Sequence, residues 1–312
     1  MFGCGDCEVL QAWGNPMYSA GGDMCGCCKT NRSSLPFTDL RANSLWHDNM
    51  VNNLEFIART KVGHPIAQSR YWNYMFPRYD AMHCADHHGV SGVFAGSVLE
   101  RLVKDPRLGP NQQARMDTIN MELKQHFDAH VVSSRMPPLR LDNLKTAGWF
   151  ELSSPLIKAA NTRHFMPFCE SLCLKYFNRG TQYDIAATKA VCHLNGFYHV
   201  IYTAAVFLSD AEKALLKHHL EQMGKYHMLC RQYSDDLEIV VWQVKPKAHY
   251  CQHFFHQCCL INSRWTQCYS QESMVGKMVK MWRTSIAGQY APHVQKTVCT
   301  KYLIQFCILF NL

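Results

Sequence analysis

The chain has 312 residues, enough for one large domain or two ordinary ones with a buried core. Apolar residues make up 47% and charged residues only 18%, which excludes wholesale disorder. The net charge of +8 is a modest basic surplus that permits a polyanionic partner such as nucleic acid without requiring one.

The opening "MFGCGDCEVLQAW" has neither the basic start nor the apolar run of a secretory signal. The 16 cysteines are therefore read as reduced thiols, with any close-spaced set a metal candidate, in a nuclear or cytosolic setting. Residues 1–45, rich in Gly, Cys and Asn with broken periodicity, read as loops with short strands tied down by something. From about Ala81 the pattern turns helical. "VFAGSVLERLVK" (93–104) carries apolar residues at helical spacing, and "NQQARMDTINMELKQHF" (111–127) follows a Gly-Pro break. "TQYD" (181–184) and "SDAE" (209–212) resemble helix starts, the second with capping-box spacing. "HVIYTAAVFL" (199–208) reads as a helix buried on most sides. "LEIVVWQV" (237–244) is the clearest strand, and a shorter one is expected near "SRWTQCY" (263–269), before a helix from about Gln271. The late apolar run "YLIQFCILFNL" (302–312) is too short to span a bilayer, so no membrane association is expected. The coarse expectation is a mainly α protein with a few strands.

Two ligand pairs stand out. Cys25 and Cys28 form a Cys-x-x-Cys knuckle, whose tight turn aims both thiolates at one point. His249 and His253, in "KAHYCQHFFHQCC", are four apart and share one helix face, with His256 as a substitute for the second. Cys4 and Cys7 make another Cys-x-x-Cys, so an all-cysteine ribbon and a Cys2His2 site both remain open, each using Cys25 and Cys28. Chance pairing is the ordinary alternative in a chain with 16 cysteines and 17 histidines. Asp80 and His83, an Asp-x-x-His at a helix start, fit an N-cap and a core histidine. Asp6 and Glu272 are isolated acids, the kind that usually face solvent. Lys277, Lys280 and Arg283 lie on a basic helical segment, either solvated or contacting phosphates. There is no His-Glu-x-x-His, P-loop, Gly-x-Ser-x-Gly or dinucleotide fingerprint.

Taken in order, these pieces resemble the catalytic region of CACTA (En/Spm-type) DNA transposases. That family's "Asp-x-Met-His" and "Tyr-x-x-Glu-x-x-x-Gly" motifs stand here as "DAMH" (Asp80 to His83) and "YSQESMVG" (around Glu272). The chain is similar over nearly its whole length to the repetitive transposase-like proteins of dinoflagellates. Their "CxxCxxN…P(W/F)TDxRAxxxW" and "NPRxxxCYxxEDFMG" stand here as "CGCCKTNRSSLPFTDLRANSLW" and "NSRWTQCYSQESMVG". The related Transib and V(D)J-recombinase group has a comparable zinc clamp. Here Cys25 lies 19 residues after Asp6, and His253 lies 19 residues before Glu272.

The resemblance implies one zinc shared by Cys25, Cys28, His249 and His253. It also implies the C-terminal part of an RNase H-like core with a large helical insertion. Residues 1–92 would be partial core with the knuckle, 93–236 the insertion, and 237–312 the strand, histidine helix and acid-bearing helix closing the core. Asp6 and Glu272 would be the second and third catalytic acids, coordinating magnesium or manganese, with DNA as partner, self-association permitted, and a nuclear location. The first catalytic Asp belongs upstream of Asp6, so a fragment inactive by itself is expected. The alternatives are a non-catalytic zinc-stabilised binding or scaffold protein and, more remotely, an unrelated helical enzyme with cysteine chemistry.

Overall fold

Three of the long helices begin where an apolar stripe and a side-chain cap coincide. The computed structural model describes residues 3–5, 24–59, 77–144, 150–152, 157–177, 180–236, 240–269 and 300. The chain divides into two units, Met1–Gln267 and Cys268–Leu312, and nearly all described residues belong to the first. In the first unit, β1 (Gly3–Gly5) pairs in parallel with β2 (Pro77–Tyr79), Gly3 opposite Pro77 and Gly5 opposite Tyr79. Between them comes α1 (Asn53–Arg59). After β2 a π-helical turn over Met82–Asp86 leads into α2 (Val90–Val103).

The helical body then runs through α3 (Gln112–Ala129), α4 (Ala159–Tyr176), α5 (Gln182–Thr203) and α6 (Asp210–Asp236). Two short helices close the unit, α7 (Pro246–Gln252) and α8 (Phe254–Cys258). The described residues are mainly helical, as expected, and those between Val90 and Asp236 contain no strand. No described helix is long and apolar enough to cross a membrane.

The centre is α2, whose Val93, Phe94, Ala95, Val98, Leu99 and Leu102 are all buried. A helix buried on nearly every side is stable only when surrounded, and α3, α4 and α5 pack around it. The longest helix, α6, lies against α5 through Leu216, Leu220, Met223, His227, Cys230 and Ser234, a stripe at three- and four-residue spacing. The caps stand where the sequence puts them. Asn111 accepts from the Ala114 N–H and Thr181 from the Asp184 N–H. Ser209 and Glu212 bond reciprocally as a capping box.

Three expected elements are corrected. Residues 240–244 are not a strand (237–239 lie outside the described residues). Val241 and Trp242 are buried, but the backbone groups here bond to helix side chains and one loop amide. The Trp242 N–H donates to Ser97 Oγ at 2.9 Å, its carbonyl faces His227 Nε2 at 3.1 Å, and Val240 O accepts from the Phe150 N–H at 3.2 Å. Trp242 also takes φ of +55°, which breaks an extended run.

The segment near 263–269 contains a 3-10 turn over Ser263–Thr266, started by Asn262, whose Oδ1 accepts from the Arg264 N–H. The same Asn262 ends the run 199–208 as a helix. Its Nδ2 donates to Ile201 O and Ala205 O, and its N–H donates to Val206 O, so α5 stops at Thr203. The helix expected from Gln271 lies outside the described residues.

Candidate metal centre

The knuckle is fixed by its own backbone before any ligand is considered. The Met24 N–H donates to Thr30 O at 3.0 Å, and the pair Lys29 N–H to Asn49 O and Val51 N–H to Cys27 O ties the turn to residues 49–51. The Cys27 N–H points at Cys25 Sγ at 3.3 Å, the amide-to-sulfur contact that a Cys-x-x-Cys turn creates. On the other side, His249 sits in α7 and His253 at the junction with α8, so the four-residue spacing brings the two rings together on one face, edge to face.

The two pairs meet. Cys25 Sγ lies 3.2 Å from His253 Nε2, and Cys28 Sγ lies 3.2 Å from His249 Nε2. The two Nε2 atoms are 3.1 Å apart, and all four ligand atoms lie within 4.8 Å of one another and are buried. A tetrahedral zinc with bonds of about 2.3 Å to sulfur and 2.0–2.1 Å to nitrogen has S···N edges of roughly 3.6 Å and an N···N edge of roughly 3.3 Å. The observed edges are a few tenths of an ångström shorter, within easy reach of that figure. Hydrogen bonding alone does not account for the crowding. His249 Nε2 has Cys28 Sγ, Thr30 Oγ1 and His253 Nε2 all within 3.2 Å, yet one ring nitrogen offers a single lone pair or a single proton. This buried group can hold a metal ion such as zinc.

The electrostatics agree. Burial pushes the Cys25 thiol up, but hydrogen bonds from Cys27 and Cys28 and the neighbouring His253 outweigh it and hold the group well below its ordinary range. Burial, and then the Cys25 sulfur beside it, drive the Cys28 thiol the other way. Two thiolates side by side in a buried site repel each other, and a cation is what would allow both. Burial also lowers His249, keeping it in the neutral form that ligates.

Around the ligands stands a shell that the sequence did not announce. Tyr79, kept protonated by burial, accepts from the Gly26 N–H at 3.1 Å and donates to Cys25 Sγ at 3.3 Å. Thr30, fully buried, sets its Oγ1 2.5 Å from Cys28 Sγ. Trp46 sets its edge against both imidazoles, with centroids 4.8 and 4.9 Å away, and Tyr250 stacks on Tyr79 at 4.5 Å. Of these, Thr30 had a signal, two positions beyond the second cysteine. Trp46 and Tyr79 had none, because nothing local ties them to the knuckle.

The remaining expected residues divide cleanly. Asp80 is completely buried; its Oδ1 accepts from the Met82 N–H at 3.0 Å and its Oδ2 pairs with His83 Nδ1. These contacts pin the π-helical turn. His256 is outside the four-ligand group, its ring centroid 6.1 Å from that of His253. Asp6, Cys7, Glu272, Lys277, Lys280 and Arg283 lie outside the described residues, as does the side chain of Cys4. Compared with known proteins, the chain matches no family model, no curated protein and no solved structure.

Proposed function

We propose that this chain is the zinc-fastened, largely helical part of a CACTA-type DNA transposase, a nuclear protein that binds and processes DNA. One observation carries the reading. A Cys-x-x-Cys knuckle and a His-x3-His helix, separated by more than 200 residues, converge on one point while helices occupy the chain between them. The same order of parts defines the family resemblance. Zinc is the ion this ligand set suits best, since two thiolates and two neutral imidazoles give a tetrahedral, charge-neutral centre. All four positions come from the protein, so the metal's role is to fasten rather than to react.

The RNase H-like core belongs to the proposal, with Asp6 and Glu272 as its acids. Magnesium or manganese bound by such carboxylates would supply charge stabilisation at phosphodiester oxygens. A second reading, a non-catalytic zinc-stabilised scaffold, draws support from the same closed coordination.

The two readings separate in one set of assays on the full chain. The transposase reading expects duplex DNA binding that weakens steeply with salt, and flattens when Lys277, Lys280 and Arg283 are replaced together. It also expects any magnesium- or manganese-dependent nicking to vanish in Asp6→Asn and Glu272→Gln with zinc content unchanged. Zinc retention without DNA affinity would leave the scaffold reading standing alone.

A further inference from the structure

We infer that the cleft between α6 and the loop following the knuckle is a binding groove for a single strand of nucleic acid. The inference deepens the proposed function and rests on it for the nature of the polymer. The cleft encloses about 750 Å³, within the range of ligand pockets. Its lining divides between apolar Met228, Leu229 and Val244 and cationic Arg41, Lys225 and Arg231. Such a division suits a nucleotide, whose base is apolar on its faces and whose phosphate is anionic.

The charges favour an anion. Arg41 spends its Nε and one terminal nitrogen on Asp39, with both contacts at 2.8 Å, yet its side chain remains 62% exposed and Nη1 is left over. Arg231 pairs with Asp235 at 2.7 Å. Lys225 is exposed and makes no ion pair among the described residues. With Asp39 and Asp235 paired to the two arginines, Lys225 leaves the cleft with a surplus of one positive charge. Gln232 and Gln243 add carboxamides able to meet either a base edge or a phosphate.

The cleft is also built rather than incidental. A side chain at Gly224 would lie 2.5 Å from Leu40 O, so the loop crosses α6 at the one residue that lets it approach. The Leu40 N–H donates to Met228 Sδ at 3.1 Å and seats the loop there. The loop follows Cys28 in sequence, and Gln243 and Val244 directly precede α7 with its His249. Both walls are therefore continuous with the metal centre.

The test is fluorescence anisotropy of the full, zinc-loaded chain with a twelve-residue oligothymidylate, beside a duplex of equal length, at several salt concentrations. Lys225→Glu and Arg41→Ala should each weaken oligothymidylate binding about three- to tenfold at about 0.1 M salt, and lower the salt slope by about 0.7 for each phosphate no longer neutralised. Circular dichroism and zinc content should be unchanged. If DNA binds but both variants match the parent chain, the groove is overturned and the DNA reading survives. If the parent binds neither probe, both fall together. An oligoglutamate peptide competing as well as the oligothymidylate would overturn the nucleic-acid assignment.

Discussion

His253 Nε2 lies 3.2 Å from Cys25 Sγ although the two residues are 228 positions apart in sequence. Holding the ends of a loop that long together costs about 5 kcal/mol of chain entropy by the cross-link formula. Structural zinc in a Cys2His2 set supplies roughly 10–16 kcal/mol at neutral pH. Metal binding therefore exceeds the cost of closure, which makes a clamp feasible.

One zinc per chain should therefore be found by elemental analysis. Replacing Cys25 or His253 by Ala should abolish retention and lower the unfolding midpoint sharply, whereas His256→Ala should retain the metal. Cobalt substitution should give the absorption of a tetrahedral site with two thiolates; an octahedral spectrum would rule out this ligand set.

Acid should destabilise the fold through buried neutral histidines. Burial lowers His227 to about 4, and burial with His219 and His218 nearby lowers His193 likewise to about 4. Since these folded values lie below the unfolded one, the unfolded state binds more protons between about pH 6.5 and 4. The stabilisation is complete above about pH 6.5 and is lost as pH falls toward 4, by about 3 kcal/mol for His227. Urea melts of His227→Gln, which keeps a donor for Trp242 O, should show a shallower loss than the parent chain over this interval.

Gly224→Ala should destabilise the chain although alanine is the better helix former. The propensity gain is about 1 kcal/mol, but the new methyl would meet Leu40 O at 2.5 Å and Gln252 Nε2 at 3.1 Å. Moving a backbone segment off a helix costs more, so a net loss of about 1–3 kcal/mol is expected in chemical denaturation. A gain in stability would show that the loop does not press on α6.

Asp80→Ala should cost about 2–4 kcal/mol, because it strips a buried carboxylate from both the Met82 N–H and the His83 ring. Zinc content should be unaffected. Loss of zinc in this variant would instead make the dyad part of the metal centre.

Much of this architecture is written locally. The starts of α3, α5 and α6 follow from Asn111, Thr181 and Ser209, each bonding the amide three residues onward. Both ligand pairs are equally local, since a Cys-x-x-Cys turn and a four-residue histidine spacing each pre-align their own atoms. What sequence could not decide was which pairs belong together, a question that only a fold spanning the whole helical body answers. The same holds for "VVWQV", whose composition suits a strand. Whether such a run joins a sheet depends on who offers hydrogen bonds, and here Ser97 and His227 on two helices do so. Trp46 and Tyr79 around the sulfurs, and Gly224 beneath Leu40, were likewise beyond local reading. Caps and spacings act over a few residues, whereas burial, close approach and the choice of partner are set by chain segments that sequence leaves far apart.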